Sequence, residues 1–241
     1  MRMINRDIIK DVDVYHKIYS NNEPYPHIVF DDLFDETLIK EASREADSFT
    51  KDYLLNQPAT EHHDHQTLKH GCNNLELSPP ILRLICRYVN GKDFIRFLRK
   101  VTGLKSIVGD NDFTGGGLHF TEAGGKLGVH HDFNYMGERS NPTSYRKCNL
   151  IIFLNDKWDD KWGGGLELWD KELTSQRHMI MPKLNRAVLF NIEDAPHGHP
   201  QPLKCPLNEN RRSLAFYFYD KVPVKNRLYE RAYWKENGVL L

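Results

Sequence analysis

From Ile107 to Tyr219 the chain breaks into short β-type runs: GLHFTEA, GKLGVHHDF, CNLIIFL, GLELWD, AVLFNI and RRSLAFYFYD. Glycine, proline, asparagine and aspartate separate them. Many short strands punctuated in this way predict a sandwich or jelly roll. The first hundred residues differ. PYPHIVFDDLF reads as a strand opened by Pro24 and Pro26. DETLIKEASREADSF puts Leu38, Ile39, Ala42 and Ala46 on one helical face, with Asp35 as N-cap. SPPILRLICRYVNGKDFIRFLRKVTG predicts two helical pieces, with Pro79 or Pro80 in the first turn and Gly91 and Gly103 near the ends. DIIKDVDVYHKIY predicts a short helix, and the tail NRLYERAYWKENGVLL reads as partly helical. The polar, histidine-rich stretch from Lys51 to Asn74 reads as a long loop.

The expected class is therefore mostly β with α support. Residues 1–105 are read as a strand-and-helix support region of the same domain, 106–222 as the β core and 223–241 as a tail. A chain of 241 residues is long enough for one sizeable core. Charged residues make up 27% with zero formal net charge, without the basic excess of a nucleic-acid binder. No segment approaches the apolar length of a membrane span, and MRMINRDIIKDVDVY has no signal-like apolar run. Cys72, Cys86, Cys148 and Cys205 form no CxxC pair and read as reduced, buried thiols. These features predict a soluble, cytoplasmic protein with no nucleic-acid or membrane partner.

The chemistry concentrates in GVHHDFNY, Gly128 to Tyr135. On a strand, side chains alternate between faces, so His130 and Asp132 share a face and His131 points away. An H-x-D pair offers one imidazole and one carboxylate to the same point, two-thirds of a facial triad for non-haem Fe(II). A second histidine must come from elsewhere. EDAPHGHPQPL follows the apolar run AVLFNI, and there His197 and His199 compete. Zinc sites use similar sets. In RRSLAFYFYD, alternation puts Arg211, Ser213, Ala215 and Tyr217 on one face and Arg212, Leu214, Phe216 and Phe218 on the other. The first face suits capture of a carboxylate by guanidinium and hydroxyl. A metal site and an inward arginine call for a ligand that bridges them, such as a dicarboxylate with a chelating end. EHHDH, Glu61 to His65, reads as a solvated loop, and His119 and His178 as ordinary strand or loop histidines.

HHD, PHGHPQPL and RRSLAFYFYD resemble the 2-oxoglutarate- and Fe(II)-dependent oxygenases, in their prolyl 4-hydroxylase-like branch. KCNLIIFLNDKWDDKWGGGLELWD, GGGLHFTEAGGKLGVHHDFN and PYPHIVFDDLFDETLIKEA extend the resemblance over most of Ile107 to Asp220 and, more loosely, upstream. It implies a double-stranded β-helix core (jelly roll, cupin-like) with N-terminal helices. It implies His130, Asp132 and His197 as iron ligands, with His197 preferred because the family's ligand opens the HG turn. Arg211 becomes the partner of the distal carboxylate of 2-oxoglutarate, with Ser213 as helper. Fe(II), 2-oxoglutarate and O2 are the implied cofactors, with ascorbate to rescue oxidised iron. The implied reaction is hydroxylation of prolyl residues in a peptide or protein, with succinate and CO2 as coproducts. Two tyrosines of related prolyl hydroxylases fall here on Phe153 and Phe120, so a hydroxyl contact to the cosubstrate is missing or comes from another residue. Phe120, Phe153 and Trp169 are candidate walls against water. Lys51–Asn74 and Asn134–Arg146 are candidate lids over an extended peptide. The competing readings are the same chemistry on another side chain or a small molecule, a non-catalytic jelly-roll binding module, and a zinc hydrolase.

Overall fold

A computed structural model describes residues 3–56, 65–74, 77–223, 228–236 and 239–240. Its organising element is β4, Gly117–His131, a single strand of 15 residues. The sequence suggests two strands here, because Gly124 and Gly125 interrupt the alternation. The structure instead bends one strand at these glycines, where the Gly124 amide donates to Leu203 O and the Leu203 amide to Gly125 O. The bend lets β4 serve two sheets. Its first half pairs with β11, Asn210–Asp220, and its second half with β10, His197–His199. The remaining core strands are β1 (His27–Phe30), β2 (Gln66–Cys72), β3 (Val108–Gly109), β5 (Tyr135–Glu138), β6 (Asn141–Phe153), β7 (Leu166–Trp169), β8 (Gln176–Ile180) and β9 (Ala187–Asn191). They run in the order β1-β9-β6-β11-β4-β10-β7-β8, every pair antiparallel, with β2 added on β4, β3 on β11 and β5 on β6. This curled sheet is the double-stranded β-helix, the jelly roll expected from the sequence.

The helices α1 (Arg6–Lys10), α2 (Val12–Asn21), α3 (Glu36–Asn56), α4 (Pro80–Val89) and α5 (Lys92–Thr102) accompany the sheet. Asp35 accepts from the Leu38 amide at 3.1 Å, as an N-cap should. α4 begins with proline and has no capping side chain of its own. Glu45 of α3 supplies the acceptor instead, taking the Ile81 and Leu82 amides at 2.8 and 3.1 Å. Ile39, Ala42, Ala46, Leu82, Ile85, Val89, Phe94, Leu98 and Val101 join Leu118, Phe120, Leu214, Phe216 and Phe218 in one buried cluster. A smaller cluster, including Phe153, Leu166, Leu168, Val188 and Phe190, fills the space inside the roll. Period-two alternation on β11 thus sends Leu214, Phe216 and Phe218 outward to the helices and leaves Arg211, Ser213, Ala215 and Tyr217 facing a cavity.

The candidate lid Asn134–Arg146 is the β5–β6 hairpin, turning at Arg139 and Ser140 between the paired Glu138 and Asn141. Three expectations need correction. Lys51–Asn74 is not one long loop: α3 runs to Asn56, and β2 lies along β4. The tail forms strands, β12 (Tyr233–Glu236) and β13 (Val239–Leu240), and β12 pairs Tyr233 with His131 and Trp234 with His130. Phe120 faces the helices, against the His70 ring at 4.9 Å and Tyr53 at 5.4 Å, so it walls no site. No described helix is long and apolar enough to cross a membrane.

β10 is held to β4 by close backbone approach at Gly198. A Cβ there would lie 2.5 Å from Gly128 O and 2.8 Å from Leu127 O, both backbone atoms that cannot swing aside. Gly198→Ala should therefore destabilise the protein by about 1–3 kcal/mol through overpacking, read as a lower thermal midpoint. An unchanged midpoint would mean that β10 is free to shift.

Candidate functional site

The cross-strand pairing of His197 with His130 sets two imidazoles side by side, their ring centres 4.7 Å apart. His130 Nδ1 lies 2.9 Å from Gly128 O and His197 Nδ1 3.0 Å from Ala195 O. A carbonyl only accepts, so each Nδ1 carries the proton and each Nε2 keeps a free lone pair. Both Nε2 atoms turn to Asp132, at 3.5 Å from Oδ1 for His130 and 3.4 Å from Oδ2 for His197. The three candidate ligand atoms lie within 4.8 Å of one another. Burial, partly offset by Asp132, pushes His197 down to about 4, so it is neutral at physiological pH and available as a ligand. Two neutral imidazoles and one carboxylate are the donor set of a non-haem Fe(II) site, and these residues fit it.

Asp132 is held from behind by Arg146. Arg146 Nη2 and Asn149 Nδ2 both donate to Asp132 Oδ2, at 2.8 and 2.7 Å, and Arg146 Nε donates to Asn149 Oδ1 at 2.7 Å. Burial is the largest single influence and would raise the Asp132 carboxyl, but the neighbouring groups, Arg146 first among them, together hold it well below the usual range. The Arg146 guanidinium is fully buried and lies 3.3 Å from the centre of the Tyr217 ring. Trp234 covers the other side, its ring 4.6 Å from that of His130.

A cavity of about 180 Å³ runs from this cluster to Arg211. Arg211 is 5% exposed, donates from Nε to Gly164 O at 2.6 Å and sits with Cζ 5.0 Å from the centre of the Phe153 ring. Burial alone pushes it down to about 10. Ser213, Lys69, His119 and His199 also line this cavity. Burial, and secondarily Arg211, brings Lys69 down to about 8. His119 and His199 are driven well below the ordinary histidine range, by burial first and by the neighbouring cations next.

The structure brings together His130, Asp132, His197, Arg211 and Ser213. His131 points away, stacked on Tyr229 at 5.4 Å. His199 is in the cavity wall rather than in the ligand cluster, and neither of its ring nitrogens has a hydrogen-bond partner among the described residues. His119, expected to be an ordinary strand histidine, is in the cavity wall as well. His178 is outside the site, bonded to Glu23 O at 2.8 Å. Arg212 lies on the helix side, buried and paired with Asp47 at 2.7 Å. Trp169 donates to Glu167 at 2.9 Å. In EHHDH, Glu61–Asp64 lie outside the described residues, while His65 stacks on Trp234 at 5.4 Å. Sequence reasoning missed Arg146, Asn149, Lys69 and Trp234. Bulges hide Arg146 and Lys69. The β6–β11 register shifts beside Tyr219, which turns Arg146 to the same side as Asn149 although they are three residues apart. No sequence signal marks Trp234, because its role depends on where the tail returns.

Known proteins agree with this geometry. The family model described as the 2OG-Fe(II) oxygenase superfamily matches residues 116–219. The prolyl 3,4-dihydroxylase OGFOD1 of Ostreococcus tauri is 24% identical over 213 residues, a match spanning 83% of this chain and 39% of that protein. In fold, the chain is similar to a prolyl-4-hydroxylase from Pseudomonas putida, with TM-score 0.58 and 14% identity over 85% of this chain and 97% of that one. It is also similar to a prolyl hydroxylase from Trichoplax adhaerens, solved in complex with a hypoxia inducible factor peptide fragment, with TM-score 0.59 and 13% identity over 90% and 94%. The segment that this family model matches, residues 116–219, carries all three residues of the histidine–aspartate cluster.

Proposed function

We propose that this chain is an Fe(II)- and 2-oxoglutarate-dependent dioxygenase that hydroxylates prolyl residues in a peptide or protein substrate, with succinate and CO2 as coproducts. One observation carries the reading. The His130–Asp132–His197 cluster and the buried, inward guanidinium of Arg211 share one cavity. A histidine–carboxylate cluster alone suits hydrolytic zinc equally well. Together with an arginine it asks for a ligand that chelates at one end and carries a carboxylate at the other, and 2-oxoglutarate does both. Support for a prolyl substrate comes from the names of the relatives, a prolyl 3,4-dihydroxylase among them. Catalysis is assigned to residues 106–222, with 1–105 as support and Trp234 of the tail closing the wall. The four cysteines are free and buried, which suits a reducing compartment, and we place the protein in the cytoplasm.

In this reading His130, Asp132 and His197 hold Fe(II), Arg211 pairs with the distal carboxylate, and Ser213 assists it. Fe(II), 2-oxoglutarate and O2, when bound, supply the oxidising chemistry, and ascorbate serves as the reductant for the iron. The chain's own residues bind, orient and shield. Gly128 O and Ala195 O fix the two imidazoles. Arg146 and Asn149 fix the carboxylate by engaging Oδ2, which leaves Oδ1 on the His130 side. Such supporting contacts set ligand orientation and basicity. Ile151, Leu166 and Trp234 give the cavity an apolar lining that keeps water from the reacting centre.

An anaerobic titration tests this directly. Fe(II) followed by 2-oxoglutarate should produce the visible charge-transfer band of a chelated 2-oxo acid, and His197→Ala should abolish it. A folded, iron-bound protein without the band would overturn the cosubstrate assignment. Asp132→Ala should reduce turnover below detection; retained activity would break the ligand assignment. Arg211→Ala should keep iron binding and weaken 2-oxoglutarate by about ten- to a hundredfold, the worth of a charged hydrogen-bond pair. Arg146→Leu should lower metal affinity by about ten- to a hundredfold, measured by Mn(II) titration. Mass gain of one oxygen on proline-containing peptides, against free amino acids and small molecules, separates the prolyl reading from other substrates.

A further inference from the structure

The cavity contains a second cation that the metal cluster does not explain. Lys69 on β2, Thr121 on β4 and Arg211 on β11 are direct cross-strand neighbours. Residues opposite one another on adjacent strands project to the same face. Lys69 and Arg211 accordingly line the same cavity, with His119 and His199 beside them.

A bulge aims Lys69 there. The β2–β4 register shifts between Thr67 and Lys69, and Leu68 takes a φ of 49°, in the left-handed region that disfavours side-chain-bearing residues. As a result Gln66 and Lys69 both line the cavity, although an odd spacing on a regular strand puts residues on opposite faces. Removing the bulge would turn Lys69 away from Arg211.

Neither cation has a carboxylate partner among the described residues. Phe153 gives Arg211 a ring and no charge. Asp132 is already taken by Arg146 and Asn149. Next to the two cations His199, 3% exposed, has two ring nitrogens with no hydrogen-bond partner among the described residues. Arg211 is buried and Lys69 half-buried, and like charges brought together in such a cavity without an anion oppose folding. Such an arrangement persists where a ligand supplies the missing charge.

Resting on the oxygenase reading above, we propose that Lys69 joins Arg211 in binding the distal carboxylate of the 2-oxo dicarboxylate cosubstrate, and that Lys69 sets the preference for a dianion over a 2-oxo monoacid. A carboxylate has two oxygens and about four lone-pair sites, so it accepts from both cations at once. Arg211 has committed Nε to Gly164 O and presents its remaining N–H groups; Lys69 adds a point charge from the opposite strand.

Lys69→Met removes the charge and keeps the length. Two readouts are taken on it: the dissociation constants of 2-oxoglutarate and of 2-oxopentanoate, from the anaerobic Fe(II) charge-transfer titration, and the thermal midpoint of the metal-free, ligand-free protein. The expected result is a 2-oxoglutarate constant raised about tenfold or more, a 2-oxopentanoate constant changed less than twofold, and a ligand-free midpoint equal to or above that of the parent. Lys69→Arg should restore most of the preference. If the band forms in Lys69→Met with an unchanged 2-oxoglutarate constant, the Lys69 assignment is wrong and the oxygenase reading stands. If both 2-oxo acids weaken together and the midpoint falls, Lys69 is a structural residue and the proposal fails. If the parent protein itself forms no band, the oxygenase reading falls first and takes this proposal with it.

Discussion

The antiparallel pairing of His197 with His130 is the seam on which the site depends. It joins the bent end of β4 to β10, the shortest strand in the core path that lines the cavity. It also places two imidazoles side by side with their Nδ1 atoms occupied by backbone carbonyls. Once those rings are fixed, Asp132 needs only to follow His130 past the end of the strand. Arg146 and Asn149 then lock its carboxylate from the far side. The glycine at position 198 allows the two backbones to approach closely enough for this, which is why a single methyl group there bears on the histidine–aspartate cluster.

Charge divides the cavity into two unlike ends. At the cluster, Asp132 is balanced by Arg146, and burial favours the neutral form of His197. At the other end Arg211 and Lys69 have no carboxylate partner among the described residues. A divalent cation entering alone adds positive charge to a cavity that already has an excess. In the proposed reading a dianion spanning both ends would relieve the repulsion, and charge would couple the two ligands, each raising the affinity of the other, as linkage requires of any such pair.

Much of this was legible in the residues. Alternation alone separates His130 and Asp132 from His131, and Arg211 and Ser213 from Arg212 and Leu214, and the structure places each on the side so assigned. Regular strands keep their parity; His130, His131 and the β11 residues are on such stretches, and Asp132 continues the alternation just past the end of β4. Arg146 and Lys69 escaped because each is next to a break in register, where the regular alternation of faces is reset. Lys51–Asn74 looked like a loop because β2 is polar and half-buried, without the apolar run that marks a core strand. The tail looked helical because its pattern is weak and its strand pairing is set by β4, far away in sequence. His119 and His199 were underrated for the same reason: a buried wall position is decided by what faces it.

The separation of the three cluster residues along the chain has a consequence for how the protein folds. His130 and Asp132 are neighbours, but His197 reaches them only after β6, β7, β8 and β9 have been laid down between them. Contacts of such long sequence separation are costly to close and tend to form late. The unfolded chain therefore offers no preassembled cluster to a ligand that needs all three residues. Whatever binds there draws on the native state alone, and by mass action its concentration adds to the stability of the fold. For this protein, occupancy and persistence in the folded state are one equilibrium viewed from two sides.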